Sequence, residues 1–318
     1  FIGLAVLILW TSRSTLRAAW EEARRGHRTE GEMLSYRAAF VGLFVGFAAL
    51  VGFAWAAGLS PSIAAVFLLI ILIYSTTICR IVAEAGAGWT MGPGMGARHL
   101  IAASTSFAAL GPKNLTTLTY FLFPDMDYRD SPMPHQLQGA RIGGAAGIVP
   151  RQMLAALLLA GAVGILAAFW AHLHVYYQYG CATAKVRPWI TSVGQQPFTL
   201  LRSWLSTPPP TDTTGLAAAG VGFGVMALLM YLRQHFLWWP LHPVGYALAN
   251  TNSLDYVWCP FFIAWLLKTA TLRLGGIDLY RRALPFFLGL ILGDYVVPGV
   301  WGLIGAVTNT QMYMAFPH

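Results

Sequence analysis

Residues 238–250 read WWPLHPVGYALAN and stand between two long apolar runs. Two prolines, a histidine, a glycine, a tyrosine and an asparagine interrupt an otherwise apolar chain there. Proline has no N–H to give the carbonyl four residues earlier, so in a helix Pro240 and Pro243 would strand the carbonyls of Phe236 and Trp239. In hydrocarbon an unpaired carbonyl costs on the order of several kcal/mol, so such backbone persists only inside protein or along a water-filled cavity. The stretch is therefore expected to cross as a short or unwound segment, with Trp239–Gly245 irregular and covered by protein on all sides. Broken helices at membrane depth are typical of transporter binding sites. The plainer reading is a polar loop whose Trp238, Trp239 and Tyr246 form an interfacial aromatic belt.

Composition supports a membrane setting. The chain is 57% hydrophobic and 10% charged, against about 25% charged in soluble domains, and its mean hydropathy is +0.59. The expected fold is all-α and transmembrane, a polytopic, transporter-like bundle with broken or re-entrant segments. Six stretches are long enough to cross: 38–58, 61–79, 152–172, 214–232, 254–270 and 284–307. Phe1–Trp10 looks like the tail of another span, so the 318 residues read as one transmembrane domain, the C-terminal portion of a longer chain. The net charge of +8 signals orientation and anionic lipid before nucleic acid, for which no motif is present. Three cysteines without CxxC spacing do not make a disulfide framework or a zinc site.

Between Thr11 and Arg37 lies a polar loop with six arginines and four glutamates, which the positive-inside rule assigns to the cytoplasm. The 80–151 region then also faces inward, and the 173–213 loop faces outward. Counting onward leaves Lys268, Arg273, Arg281 and Arg282 outside, against the rule, unless residues 238–250 also cross; the alternative is an exception to the rule, which is statistical. Residues 80–122 are too apolar for a cytoplasmic domain and too broken for simple spans. A segment entering and leaving on one side is expected, with Gly86–Gly96 as its irregular part. Asp125, Asp127 and Asp130 invite a metal reading, but the glycine and glutamate of a calcium loop are missing, so they read as a solvated loop. Glycines four apart, at 139/143/147, 42/46, 220/224 and 289/293, suit close helix packing in a compact bundle.

Six residues are candidates for a solute or ion pathway: Arg80, Glu84, His242, Tyr246, Asn250 and Asp294. Arg80 and Glu84, at i,i+4, share a helix face. His242, Tyr246 and Asn250 belong to the broken stretch. Asp294 is the only ionisable carboxylate of the 284–307 span, close to the bilayer midplane, where a carboxylate costs on the order of 3 kcal/mol and usually faces a cavity or a partner. Pro298 would free the Asp294 carbonyl. His242 or Arg80 is its expected partner, and burial would let it take up a proton reversibly. No HExxH, GxSxG or paired-carboxylate motif is present. Neither an enzyme nor a resident metal or cofactor is expected.

The stretch GARIGGAAGIVPRQMLAALLLAG resembles a segment of oligopeptide transporters, through Gly143, Gly147, Pro150 and Arg151, with Arg141 for the family's lysine and Gln152 one position early. CRIVAEAGAGW, WWPLHPVGYALAN and GGIDLYRRALPFFLGLILGDYVVPGVW resemble uncharacterised prokaryotic membrane proteins distantly related to those transporters. The resemblance implies a transporter-like fold of two repeated halves and no particular substrate. The expected activity is proton-coupled secondary transport of a small solute, such as a peptide or metal chelate. Expected partners are the lipid bilayer, the solute, protons, and a second copy or the missing N-terminal half. The expected location is the prokaryotic plasma membrane. The alternative is a non-transporting structural or cofactor-binding subunit of a larger membrane complex.

Overall fold

A computed structural model describes residues 1–26, 31–86, 90–181, 188–249, 251–310 and 312. The protein is an all-α polytopic integral membrane protein; among the described residues there is no strand, and five helices are long and apolar enough to cross a bilayer. The chain divides into two units, Phe1–Thr251 and Asn252–His318.

The first unit opens with α1 (Ile2–Thr11) and α2 (Arg13–Arg25). The second of these lies where a polar loop was expected. It ends at Gly26, whose positive φ of 73° suits glycine. Then come two spans, α3 (Tyr36–Ala56) and α4 (Pro61–Ala85), joined by the tight turn that GLSP announces. Ser35 caps α3 by accepting from the Ala38 N–H at 3.2 Å, and Pro61 opens α4, where its missing N–H costs nothing.

The glycine-rich segment is irregular where it is described, at Gly86 and 90–96. It leads to α5 (Ala97–Thr105), α6 (Phe107–Tyr120) and the single turn α7 (Phe123–Met126). At about 1.5 Å per residue α5 and α6 reach roughly 14 and 21 Å, too short to cross a core of about 30 Å. Gly111 (φ 73°) and the Pro112 after it break α6 further.

Helix α8 (Pro132–Ala145) packs against α4 and α9 (Pro150–Tyr179). A Cβ on Gly143 would stand 2.8 Å from the Met153 sulfur, and one on Gly139 2.9 Å from Leu157, so this glycine seam does hold two helices together. The 42/46, 220/224 and 289/293 pairs have nothing within 4 Å, and α9 has no buried residue. The compact bundle read from glycine spacing is thus confined to α8 and α9. The expected 173–213 loop instead contains α10 (Pro188–Ser206), whose buried Leu201 and Trp204 pack on the α5–α6 pair. The unit closes with α11 (Thr213–His235) and α12 (Pro243–Ala249). Asp212 caps α11 by accepting from the Gly215 N–H at 2.7 Å.

The second unit holds α13 (Asn252–Thr308), 57 residues broken at Gly276 by φ 60°, ψ −154°. A straight helix of that length would run about 85 Å. The break leaves arms of about 24 and 32 residues, each long enough to cross. The Lys268 ammonium lies 5.8 Å from the centre of the Tyr280 ring, a pair about 18 Å apart along a straight helix. Two spans with a loop over 271–283 were expected; the structure keeps that stretch helical except at one glycine.

Candidate functional site

Packing brings the end of α4 to the start of α12. Leu4 of α1, Ile81 of α4, Met226 of α11 and Val244 and Ala247 of α12 form one buried cluster. Full burial of an aliphatic side chain contributes about 1.5–3 kcal/mol, so these contacts seat the short α12 against the last turn of α4. Glu84 lies three residues beyond Ile81. One of its oxygens pairs with Arg80, and its other oxygen stands 3.9 Å from Nε2 of His242. The three side chains are partly open, at 50%, 28% and 36% exposure for Arg80, Glu84 and His242. Three of the six sequence candidates therefore meet.

His242 is also the residue before α12. Its Nδ1 accepts the Val244 N–H at 3.1 Å. An accepting Nδ1 carries no proton, so the neutral ring keeps its proton on Nε2, toward Glu84. Partial burial, then the cations Arg233 and Arg80, push the His242 pKa below its ordinary value; Glu84 opposes them. Tyr246 sits one turn on. Its backbone N–H reaches the His242 carbonyl at 3.4 Å, and its hydroxyl is 3.5 Å from where a Cβ of Gly222 would stand on α11. Asn250 lies outside the described residues. Asp294 belongs to the second unit, exposed on the second arm of α13, in a shallow groove between Leu290, Val297, Pro298 and Trp301 of the same helix.

The broken stretch corrects one expectation. Residues 236–242 are irregular, but Pro243–Ala249 is helical, and at roughly 10 Å it cannot cross as a helix. Nor is Trp239–Gly245 covered on all sides: Pro240, Leu241 and Gly245 are exposed, as are Leu237 and Trp238 before them. For the Phe236 carbonyl the argument from a stranded acceptor fails because a turn supplies the missing donor, the Trp239 N–H at 3.1 Å. Exposed Leu237 and Trp238 suit the interfacial belt.

A second polar cluster was not foreseen. Asp125, expected in a solvated loop, is only 7% exposed. Its Oδ1 accepts the Ala97 N–H at 2.7 Å and the Tyr128 hydroxyl at 3.2 Å; its Oδ2 accepts the Arg98 N–H at 3.0 Å. It thus caps α5 from 28 residues away. Burial raises its pKa, against four opposing influences: the Ala97 and Arg98 amides, Tyr128, and the Arg98 charge. The Arg98 guanidinium, itself buried, lies 4.8 Å from the centre of the Trp204 ring. Asp127 follows another course and pairs with Arg129 two residues on. The signal in the sequence was the glycine run. A Cβ on Gly96 would stand 2.5 Å from Asp125 Oδ2, and one on Gly92 2.3 Å from the Tyr128 ring. These glycines let the carboxylate and the tyrosine approach, but nothing in their spacing says which residue does so.

No curated protein and no solved structure matches the chain. One family model does, over residues 1–317, and by it the chain belongs to a family of unknown function (DUF6785).

Proposed function

We propose that the protein is a proton-coupled secondary transporter of the oligopeptide-transporter type. Its cargo is a small solute, such as a peptide or metal chelate, moved across a prokaryotic plasma membrane with α2 on the cytoplasmic side. The observation that carries this reading is the double engagement of His242. One ring nitrogen accepts from the first turn of α12 and the other faces Glu84. A proton arriving at Nδ1 abolishes the acceptor that caps α12 and creates a cation beside the Glu84 carboxylate. Taking up a proton thus exchanges a contact within α12 for one with α4. A reversible rearrangement where a span meets a broken segment is what coupling requires. Arg80 pairs with Glu84, and partial burial together with the Arg233 and Arg80 charges keeps the resting imidazole neutral.

The test is proton entry into proteoliposomes loaded with the pH-sensitive dye pyranine. The added probes are a mixture of di- and tripeptides or a set of nickel and iron chelates, with the vesicle lumen alkaline. Acidification that depends on a probe and is lost in His242→Gln is the expected result. No response to any probe, or uptake indifferent to the gradient, would leave the non-transporting subunit as the better reading.

A further inference from the structure

The arginines of α2 are sorted around the helix. At about 100° per residue, Ser12, Ala19 and Ala23 share the face turned inward, where Ala23 is buried and the other two are half-buried. Leu16 and Trp20 come next around the helix, 43% and 48% exposed. Beyond them Arg13, Arg17 and Arg24 form one exposed strip. Glu21 and Arg25 lie farther round and face each other at 4.0 Å. Among the described residues no carboxylate is within ion-pair distance of Arg13, Arg17 or Arg24. The Arg13 guanidinium stands 4.4 Å from the centre of the Trp10 ring.

The depth of this strip follows from α3. The Trp20 ring meets Phe40 edge-on, with centroids 5.1 Å apart. Phe40 is in the second turn of a 21-residue span, about 6 Å from its start. Helix α2 therefore runs beside one end of a membrane-crossing helix, at the level of lipid headgroups. From that helix outward the order is alanine, then leucine and tryptophan, then arginine. This matches the order from acyl chain to phosphate across a bilayer surface.

We infer that the Arg13–Arg17–Arg24 strip is a binding site for the phosphates of anionic phospholipids, with Leu16 and Trp20 seated at the acyl boundary. Three guanidiniums with no ion-pair partner among the described residues, spread over about 16 Å of helix, can each take a phosphate bidentately. The apolar pair beside them selects a lipid over a soluble anion, which would leave Leu16 and Trp20 in water.

The test uses the full chain in nanodiscs made from equal parts phosphatidylcholine and phosphatidylglycerol. After mild detergent extraction, native mass spectrometry counts the lipids retained. The unmodified protein should hold phosphatidylglycerol in preference. The preference should fall at least about tenfold in R13Q/R17Q/R24Q, since each arginine near an anionic surface contributes roughly fivefold, and it should weaken as salt is raised. E21Q/R25Q, farther round the same helix and without change in net charge, should leave it unchanged. All five substitutions are at exposed positions, and a size-exclusion profile verifies that each variant is folded. Equal retention of both lipids by the unmodified protein, or an undiminished preference in the triple variant, would overturn the inference. So would retention of inorganic phosphate to the same extent as lipid.

Discussion

Gly96 shows how little room a single residue can have. Its φ of −72° is open to any amino acid, so the constraint is space alone, imposed by the Asp125 carboxylate. Gly96→Ala should cost about 1–3 kcal/mol, the usual range for overpacking, seen as a lower melting temperature in detergent. An alanine variant as stable as the original would mean the carboxylate moves aside freely. His242 makes a different prediction. Its folded-state pKa lies below the ordinary 6.5, so between the two values the unfolded chain binds more protons. Stability then rises with pH through that window. The histidine's contribution is complete above about pH 6.5 and is lost as pH falls through the lowered pKa. Melting curves between pH 5 and 8 should show this acid-side loss, and His242→Gln should shrink it, because glutamine offers an acceptor that does not titrate. Identical pH dependence in the two proteins would count against the capping role. The proximity of Glu84 to His242 was beyond sequence reading, because residues 158 positions apart meet only through the packing of Ile81, Val244 and Ala247.

Among the helices, those that long apolar runs announce were legible: α3, α4, α9 and α11 begin and end within a few residues of expectation at most of their boundaries. The ones that went unread are amphipathic or broken. In α10 one face carries Ser192, Gln195 and Thr199 while the other buries Leu201 and Trp204, a mixture that averages to a loop when hydropathy is read over long windows. Trp204 is 6% exposed and contacts Phe107, His99 and Arg98. Trp204→Ala should cost about 3–5 kcal/mol and expose the α5–α6 pair to limited proteolysis. If α10 were a loosely attached surface helix, neither stability nor cleavage would change. Burial of His99 and the neighbouring Arg98 charge hold the His99 imidazole below its ordinary pKa, so α10 closes over a face that remains uncharged at that position near neutral pH.

For the molecule as a whole, composition alone was enough to establish a polytopic helical membrane protein. What composition could not supply is which polar residues are solvated and which are interred. Asp125 and Asp127 are two residues apart, yet one is locked under α5 and the other bonds its own neighbour. Asp294 bears on the proposed transport. On the helix as it stands it lies near the middle of the 277–308 arm, so the argument for midplane depth survives the change in span boundaries. If it is the coupling carboxylate, Asp294→Asn should leave folding intact and abolish uptake driven by a pH gradient while preserving solute exchange. Normal gradient-driven uptake by the asparagine variant across pH 5–8 would restrict Asp294 to a structural role.

The capping of α5 by Asp125 also has a consequence in time. A ribosome completes Ala97 and Arg98 well before it reaches residue 125, and at about 5–20 residues per second the interval is on the order of seconds. Throughout that interval the first amides of α5 have no carboxylate, and the glycine segment before them has nothing to close around. Membrane insertion of α3 and α4 can be finished while α5 is still waiting. A translation-arrest sensor placed at successive distances along the nascent chain should therefore register a pulling event as the 123–128 stretch emerges, and Asp125→Ala should delay or erase it.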